Sequence, residues 1–158
     1  MQGRRVRIAP ELLEGLERLG MIKELAITED SVSFRFTDET TRGWLRDVGS
    51  VLELYVYRAC VKAGIFQDVV ISAVVDWDSA SGKSRVSNEI DVVAARGVVP
   101  MFISCKTCAV KTEALNELAI LSERFGGKGA KSVIVTAEMC NAAARHRAAQ
   151  LGIAVIDL

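Results

Sequence analysis

The chain has 158 residues, half of them hydrophobic and a quarter charged, which suits one soluble domain with a real core and room for a small appendage. Lys+Arg and Asp+Glu balance at 20 each, so binding of nucleic acid by bulk charge is excluded and only a local basic groove remains open. Two prolines and no low-complexity tract argue against a long disordered region, and no apolar run approaches the roughly 20 residues that cross a bilayer.

The start, MQGRRVRIAPELLEG, has the positive charge of a signal peptide but not its uninterrupted apolar segment. A cytoplasmic protein is expected, with Cys60, Cys105, Cys108 and Cys140 as free thiols. Residues 10–26 carry apolar side chains at helical spacing, with Pro10 at a first-turn position. IKELAITEDSVSFRFTDE then reads as two short strands around the turn Glu29-Asp30-Ser31, with alternation at Val32, Phe34 and Phe36. This helix and hairpin make residues 1–39 a small N-terminal domain, either the remnant of a winged-helix unit or a layer packed on the main core.

A second domain is expected over residues 40–158. TRGWLRDVGSVLELYVYRACVKAG places Trp44, Val48, Val51, Leu52, Tyr55, Val56 and Ala59 on one stripe of a single long helix, ended by Gly64. Three strands follow, at 68–77, 88–95 and 98–106. The polar linker DSASGKSRVS and a tight turn at Arg96-Gly97 make them antiparallel neighbours. A helix over 112–125 is stopped by Gly126-Gly127. KSVIVTA then reads as a strand, EMCNAAARHRAAQLG as a helix and IAVIDL as the last strand. Antiparallel strands first and βαβ units later predict an α/β fold with a mixed sheet flanked by helices.

The central hairpin, NEIDVVAARGVVPMFISCKT, carries the chemistry. Strand alternation puts Glu89, Asp91 and Val93 on one face and Ile90, Val92 and Ala94 on the other. In the partner strand Phe102, Ser104 and Lys106 share a face, opposite Met101, Ile103 and Cys105. Two carboxylates, a hydroxyl and an ammonium then meet at one end of the sheet. Burying them unpartnered costs several kcal/mol, so they form a salt-bridge network, face a cleft, or bind a metal. Carboxylates suit Mg²⁺ or Mn²⁺, with water and phosphate completing the shell. A nearby lysine can hold the attacking water or stabilise charge developing on phosphorus.

An acidic strand followed by a strand ending in (D/E)xK resembles the PD-(D/E)xK, restriction-endonuclease-like nuclease superfamily, whose αβββαβ core order agrees. A closer resemblance is to the nuclease domain of CRISPR ancillary effectors in which a CARF sensor domain binds cyclic oligoadenylate. Their GxWLE-like helix start, NExD strand, I(E/S)CKT strand and GG-x-x-AK segment have counterparts here in VGSVLELYVY (48–57), NEIDVV (88–93), FISCKT (102–107) and FGGKGAK (125–131). The resemblance covers roughly residues 41–158. It implies a metal-dependent endonuclease acting on DNA or RNA, single strands above all, with Mg²⁺ or Mn²⁺ as cofactor and a homodimeric assembly.

Residue by residue, the resemblance makes Glu53 a helix carboxylate reaching the metal, Asp91 the central ligand, Glu89 its neighbour and Lys106 the catalytic lysine. A backbone carbonyl near Cys105 completes the ligand set. Ser104 departs from the pattern, because it occupies the acidic position of (D/E)xK. The alternative reading is therefore a catalytically lapsed nuclease fold that binds nucleic acid or mediates dimerisation. No CARF domain fits into the first 40 residues, so the expectation is a domain cut from a longer protein or, second, a stand-alone nuclease under other control.

Other features compete. CKTC (105–108) has the spacing of a redox pair, but such pairs sit at a helix N-terminus, whereas Cys105 falls within a strand. Buried, inert thiols are the expectation. FGGKGAKS lacks the P-loop pattern and follows a helix, so it reads as helix termination. Lys83, Arg85, Lys111, Lys128 and Lys131 can touch a nucleic-acid backbone. His146 reads as a solvated surface residue, Trp44 as core, and Trp77 as a candidate for base stacking.

Overall fold

A computed structural model describes residues 10–28, 31–76 and 87–158. The turn residues Glu29 and Asp30, Trp77, and the linker with Lys83 and Arg85 lie outside the described residues. The chain divides into two compact units between Asp47 and Val48, whereas the sequence pattern suggested residue 40. The backbone is extended at Asp47 (φ −113°, ψ 125°), so the single long helix expected over 40–64 is two helices.

The first unit runs α1 (Pro10–Arg18), β1 (Ile22–Ile27), β2 (Val32–Phe36) and α2 (Glu39–Arg46). β1 and β2 pair antiparallel, with an irregularity between Lys23 and Ala26 where Glu24 takes a left-handed φ of 56°. Asp38 caps α2 by accepting the Thr41 N–H at 2.7 Å, and this bond holds its carboxyl below the usual range. Trp44 is 43% exposed, which corrects its assignment to the core.

The second unit runs α3 (Val48–Ala63), β3 (Asp68–Asp76), β4 (Ser87–Arg96), β5 (Val99–Lys106), α4 (Thr112–Gly126), a 3₁₀ turn (Gly127–Gly129), β6 (Lys131–Thr136), α5 (Ala142–Gln150) and β7 (Ile153–Asp157). The five strands lie in sequence order. The first three are antiparallel neighbours, and β5, β6 and β7 are parallel. This is the mixed sheet with flanking helices of a restriction-endonuclease-like α/β fold. No helix among the described residues is long and apolar enough to cross a membrane.

Each face of the sheet buries its own cluster. On one face Leu52 and Val56 of α3 pack with Val92, Ile103, Cys105, Val133 and Val135. The buried stripe of α3 continues through Tyr57 and Cys60. Tyr55, expected on that stripe, is 59% exposed, as are much of Val48 and Val51. The break at Asp47 removed the constraint that a continuous helix from Trp44 would have placed on the phase. On the other face Leu115, Leu118 and Leu121 of α4 and Ala144 and Ala148 of α5 pack with Ile90, Phe102 and Ile134. Both parallel crossovers use this face, as two right-handed connections advancing in one direction must. α5 begins only at Ala142, because Asn141 caps it through the Ala144 N–H.

Strand alternation fails at one point. Val69 and Ile71 pack on the α3 side, yet Ala73 and Val75 pack on the α4 side. Ser72 between them has a left-handed φ of 53°, and one residue in that region reverses which face the following side chains take. β4 changes with it: Val92 belongs to the α3 cluster while Ile90 and Val93 belong to the α4 cluster. The expected grouping of Ile90 with Val92 is thereby corrected. Ser72 lies opposite Asp91, between the pairs Ile71–Val92 and Ala73–Ile90.

Gly126 ends α4 where the 3₁₀ turn begins, and a Cβ there would meet Ala130 and come within 2.6 Å of Phe102 Cε2. Gly126→Ala is expected to destabilise the protein by about 1–3 kcal/mol through overpacking. Gly129→Ala, with nothing within 4 Å of the added methyl, should stay within about 0.5 kcal/mol of wild type. Urea titrations of the two variants check both.

Candidate active site

The β4–β5 ladder pairs Arg96 with Val99 and continues to Val92–Ile103, where it stops. Beyond that pair Asp91 replaces backbone with side chain. Its Oδ2 accepts the Cys105 N–H at 2.6 Å and the Ser104 hydroxyl at 3.1 Å. Lys106 Nζ stands 4.0 Å from the same oxygen. The N–H and C=O of one strand residue project to the same side. The Cys105 carbonyl therefore faces the gap that Asp91 closes, while the Lys106 carbonyl turns to β6 and accepts the Ala137 N–H.

The opened strand ends and α4 enclose a cleft of about 140 Å³ lined by Glu89, Asp91, Ser104, Lys106, Ala114 and Glu117, floored by apolar side chains of β4 and α4. The hairpin thus brings Asp91, Ser104 and Lys106 together. Glu89 borders the same cleft without the alternation that was expected to pair it with Asp91, because the strand reverses between Ile90 and Val92. The Lys106–Asp91 pair is partly exposed, at 34% and 20% of the two side chains. A pair of that kind stabilises a fold by roughly 0–1 kcal/mol at most. Stability alone gives little reason to place an ammonium there.

Glu53 is differently placed. It sits on α3 beside the buried Leu52 and does not line this cleft. It is carried by helix α3, which packs on the other face of the sheet from α4. Its charge is still felt at the strand, because burial, then Asp91, then Glu53 push the Cys105 thiol up to about 12. Among the described residues, no three His, Cys, Asp or Glu side chains are arranged to hold one metal ion. The expected ligand set of Asp91, Glu89, Glu53 and Cys105 is therefore not assembled as side chains, and Cys105 can contribute only its carbonyl.

Sequence reasoning missed Glu117. A signal existed: Ala114, Leu118 and Leu121 mark the inward face of α4, and position 117 lies on the edge of that face. Its Oε1 accepts from Asn88 Nδ2 at 2.8 Å, which ties the helix carboxylate to the acidic strand.

A family model described as "Card1-like, endonuclease domain" matches residues 38–157. Among solved structures, protein VC1899 from Vibrio cholerae is similar with a TM-score of 0.70 at 22% identity, the match covering 94% of this chain and 38% of that one. Can2 from Sulfobacillus thermosulfidooxidans, solved in complex with cyclic tetra-adenylate, gives 0.66 at 24%, covering 96% and 42%. At these identities the likeness is one of fold. The chain spans about two fifths of the length of each. No curated protein matches the sequence.

All four cysteines are free, Cys105 buried and Cys108 exposed. With its pKa near 12, Cys105 stays a neutral thiol throughout the physiological range. At about pH 8, just below the ordinary thiol value, a thiol reagent should label Cys108 in the folded protein and reach Cys105 only after denaturation. Mapping by mass spectrometry checks this. Labelling of folded Cys105 at a rate matching Cys108 would restore the redox reading of the CxxC spacing.

Proposed function

The chain belongs to the Card1-like endonuclease-domain family, and from that premise we propose that its cleft hydrolyses phosphodiester bonds in a reaction dependent on Mg²⁺ or Mn²⁺. One observation carries the reading: neighbouring strands deliver Asp91, Ser104 and Lys106 to a single point in an open cleft. The donor set passes a chemical test. Carboxylates at Asp91 and Glu89 and the carbonyl of Cys105 are all hard oxygens, and one or two carboxylates plus water is what Mg²⁺ takes from a protein.

Asp91 and Glu89 would hold the ion with the Cys105 carbonyl, and Glu53 is the further carboxylate that the family resemblance implies. When bound, the ion polarises a phosphoryl oxygen and lowers the pKa of its water. The chain's own groups do the rest. The Cys105 N–H and Ser104 hydroxyl fix the rotamer of Asp91. Lys106 places a positive charge where the attacking water and the developing phosphorane charge meet. Lys111, exposed one turn before Ala114 on α4, is suited to the phosphate backbone of the substrate.

The substrate class is DNA or RNA, with single strands the better fit to a narrow cleft. By the same reading the protein is a cytoplasmic, homodimeric effector in CRISPR-linked defence, governed by a sensor domain for a cyclic oligoadenylate such as the one bound by Can2. Its first unit would be what connects the two. A second reading rests on Ser104: its hydroxyl already bonds Asp91, and it brings no charge, which is what a lapsed nuclease that only binds nucleic acid would show.

Labelled single-stranded and duplex DNA and RNA, incubated with Mg²⁺, Mn²⁺ or EDTA, separate the two. Cleavage that needs metal, and that falls on the order of 100-fold or more in Lys106→Ala and Asp91→Ala, supports the nuclease. Binding without cleavage in either metal, with cleavage gained in Ser104→Glu, supports the lapsed form.

A further inference from the structure

A divalent ion leaves water for a protein site only when the site offers enough negative charge, and β5 offers less than the motif demands. Ser104 supplies a hydroxyl where a carboxylate belongs. We infer that Glu117 of α4 supplies the missing carboxylate, an inference that rests on the metal-dependent reading of this cleft.

Glu117 lines the same cleft as Asp91 and Lys106, from the opposite wall. Asn88 donates to its Oε1 at 2.8 Å, which links its exposed head group to the acidic end of β4. The helix that carries it is fixed in place. Leu115, Leu118 and Leu121 are all buried, and their burial anchors the helix on the sheet. Repulsion between Glu117 and the strand carboxylates in a solvated cleft is weaker than the burial of these leucines. Packing therefore wins, and the helix presents a carboxylate to a site already rich in them.

Glu117 is exposed, yet it borders the cleft and bonds a strand residue across from its helix, which a helix glutamate bonded within its own helix would not do. No three acidic side chains among the described residues stand close enough to grip one ion directly. Glu117 consequently acts through water bound to the ion, the mode Mg²⁺ favours because it dehydrates reluctantly. Groups that orient the waters and ligands of a bound metal are typically worth about 10–100-fold in affinity.

The test is Mn²⁺ binding, followed by calorimetry or by the ion's paramagnetic signal, with thermal melts of the metal-free proteins in parallel. Glu117→Gln is the informative change, since the amide oxygen can still accept from Asn88. It should weaken Mn²⁺ binding about tenfold or more without lowering the metal-free melting temperature. Adding Ser104→Glu to Glu117→Gln should recover the affinity. If Glu117→Gln binds Mn²⁺ as tightly as wild type while Asp91→Asn loses it, the role of Glu117 is overturned and the metal site stands. If Asp91→Asn also binds unchanged, the metal reading of the cleft fails and the inference fails with it.

Discussion

The bond from the Cys105 N–H to Asp91 Oδ2 is the contact on which the site depends. Up to Val92–Ile103 the two strands are an ordinary antiparallel ladder. One residue further, a charged side chain takes the N–H that a backbone carbonyl would have accepted. A hydrogen bond to a charged group is worth about 1.5–3 kcal/mol, against about 0.5–1.5 for a neutral one. The exchange therefore favours opening the strands even though a ladder bond is given up. Part of that margin offsets the left-handed backbone of Ser72 directly opposite, a conformation costing a non-glycine residue roughly 1–2 kcal/mol.

Opening the ladder has three consequences at once. It aims the Cys105 carbonyl into the gap, it leaves the Asp91 carboxylate at the cleft wall, and it lets Lys106 come within 4.0 Å of that carboxylate. The same strand direction sends the Cys105 thiol to the other face, into the apolar cluster under α3. There, burial and the nearby carboxylates suppress its ionisation. One residue thus presents an oxygen to the site and hides its sulfur from it, and the CxxC spacing is a by-product of the motif's strand.

The order of elements from residue 40 and the convergence of Asp91, Ser104 and Lys106 were legible because both rest on local period. Alternation along β5 holds without exception, so its polar face could be read directly. The failures have nonlocal causes. The reversal around Asp91 depends on Ser72 in the neighbouring strand, and nothing in the letters of β4 announces it. The break at Asp47 is a backbone choice within a run whose helical spacing is good on both sides, and it shifted the buried stripe from Tyr55 to Tyr57 and Cys60. Glu117 went unnoticed because a glutamate beside leucines reads as the solvent edge of an amphipathic helix until the strand across from it is known.

Under the proposed metal-dependent reading, charge would make the cleft take its cation before its substrate. Its lining sets three carboxylates, Glu89, Asp91 and Glu117, against the single ammonium of Lys106. A phosphate approaching that lining meets net repulsion at short range, where screening by salt is weakest. The chain as a whole does not help, since its Lys+Arg and Asp+Glu are equal in number and provide no attractive background field. A divalent cation would cancel that net negative charge and leave the lining neutral. On that proposal, the carboxylates that would hold the metal are the same groups that would keep nucleic acid out until the metal is there.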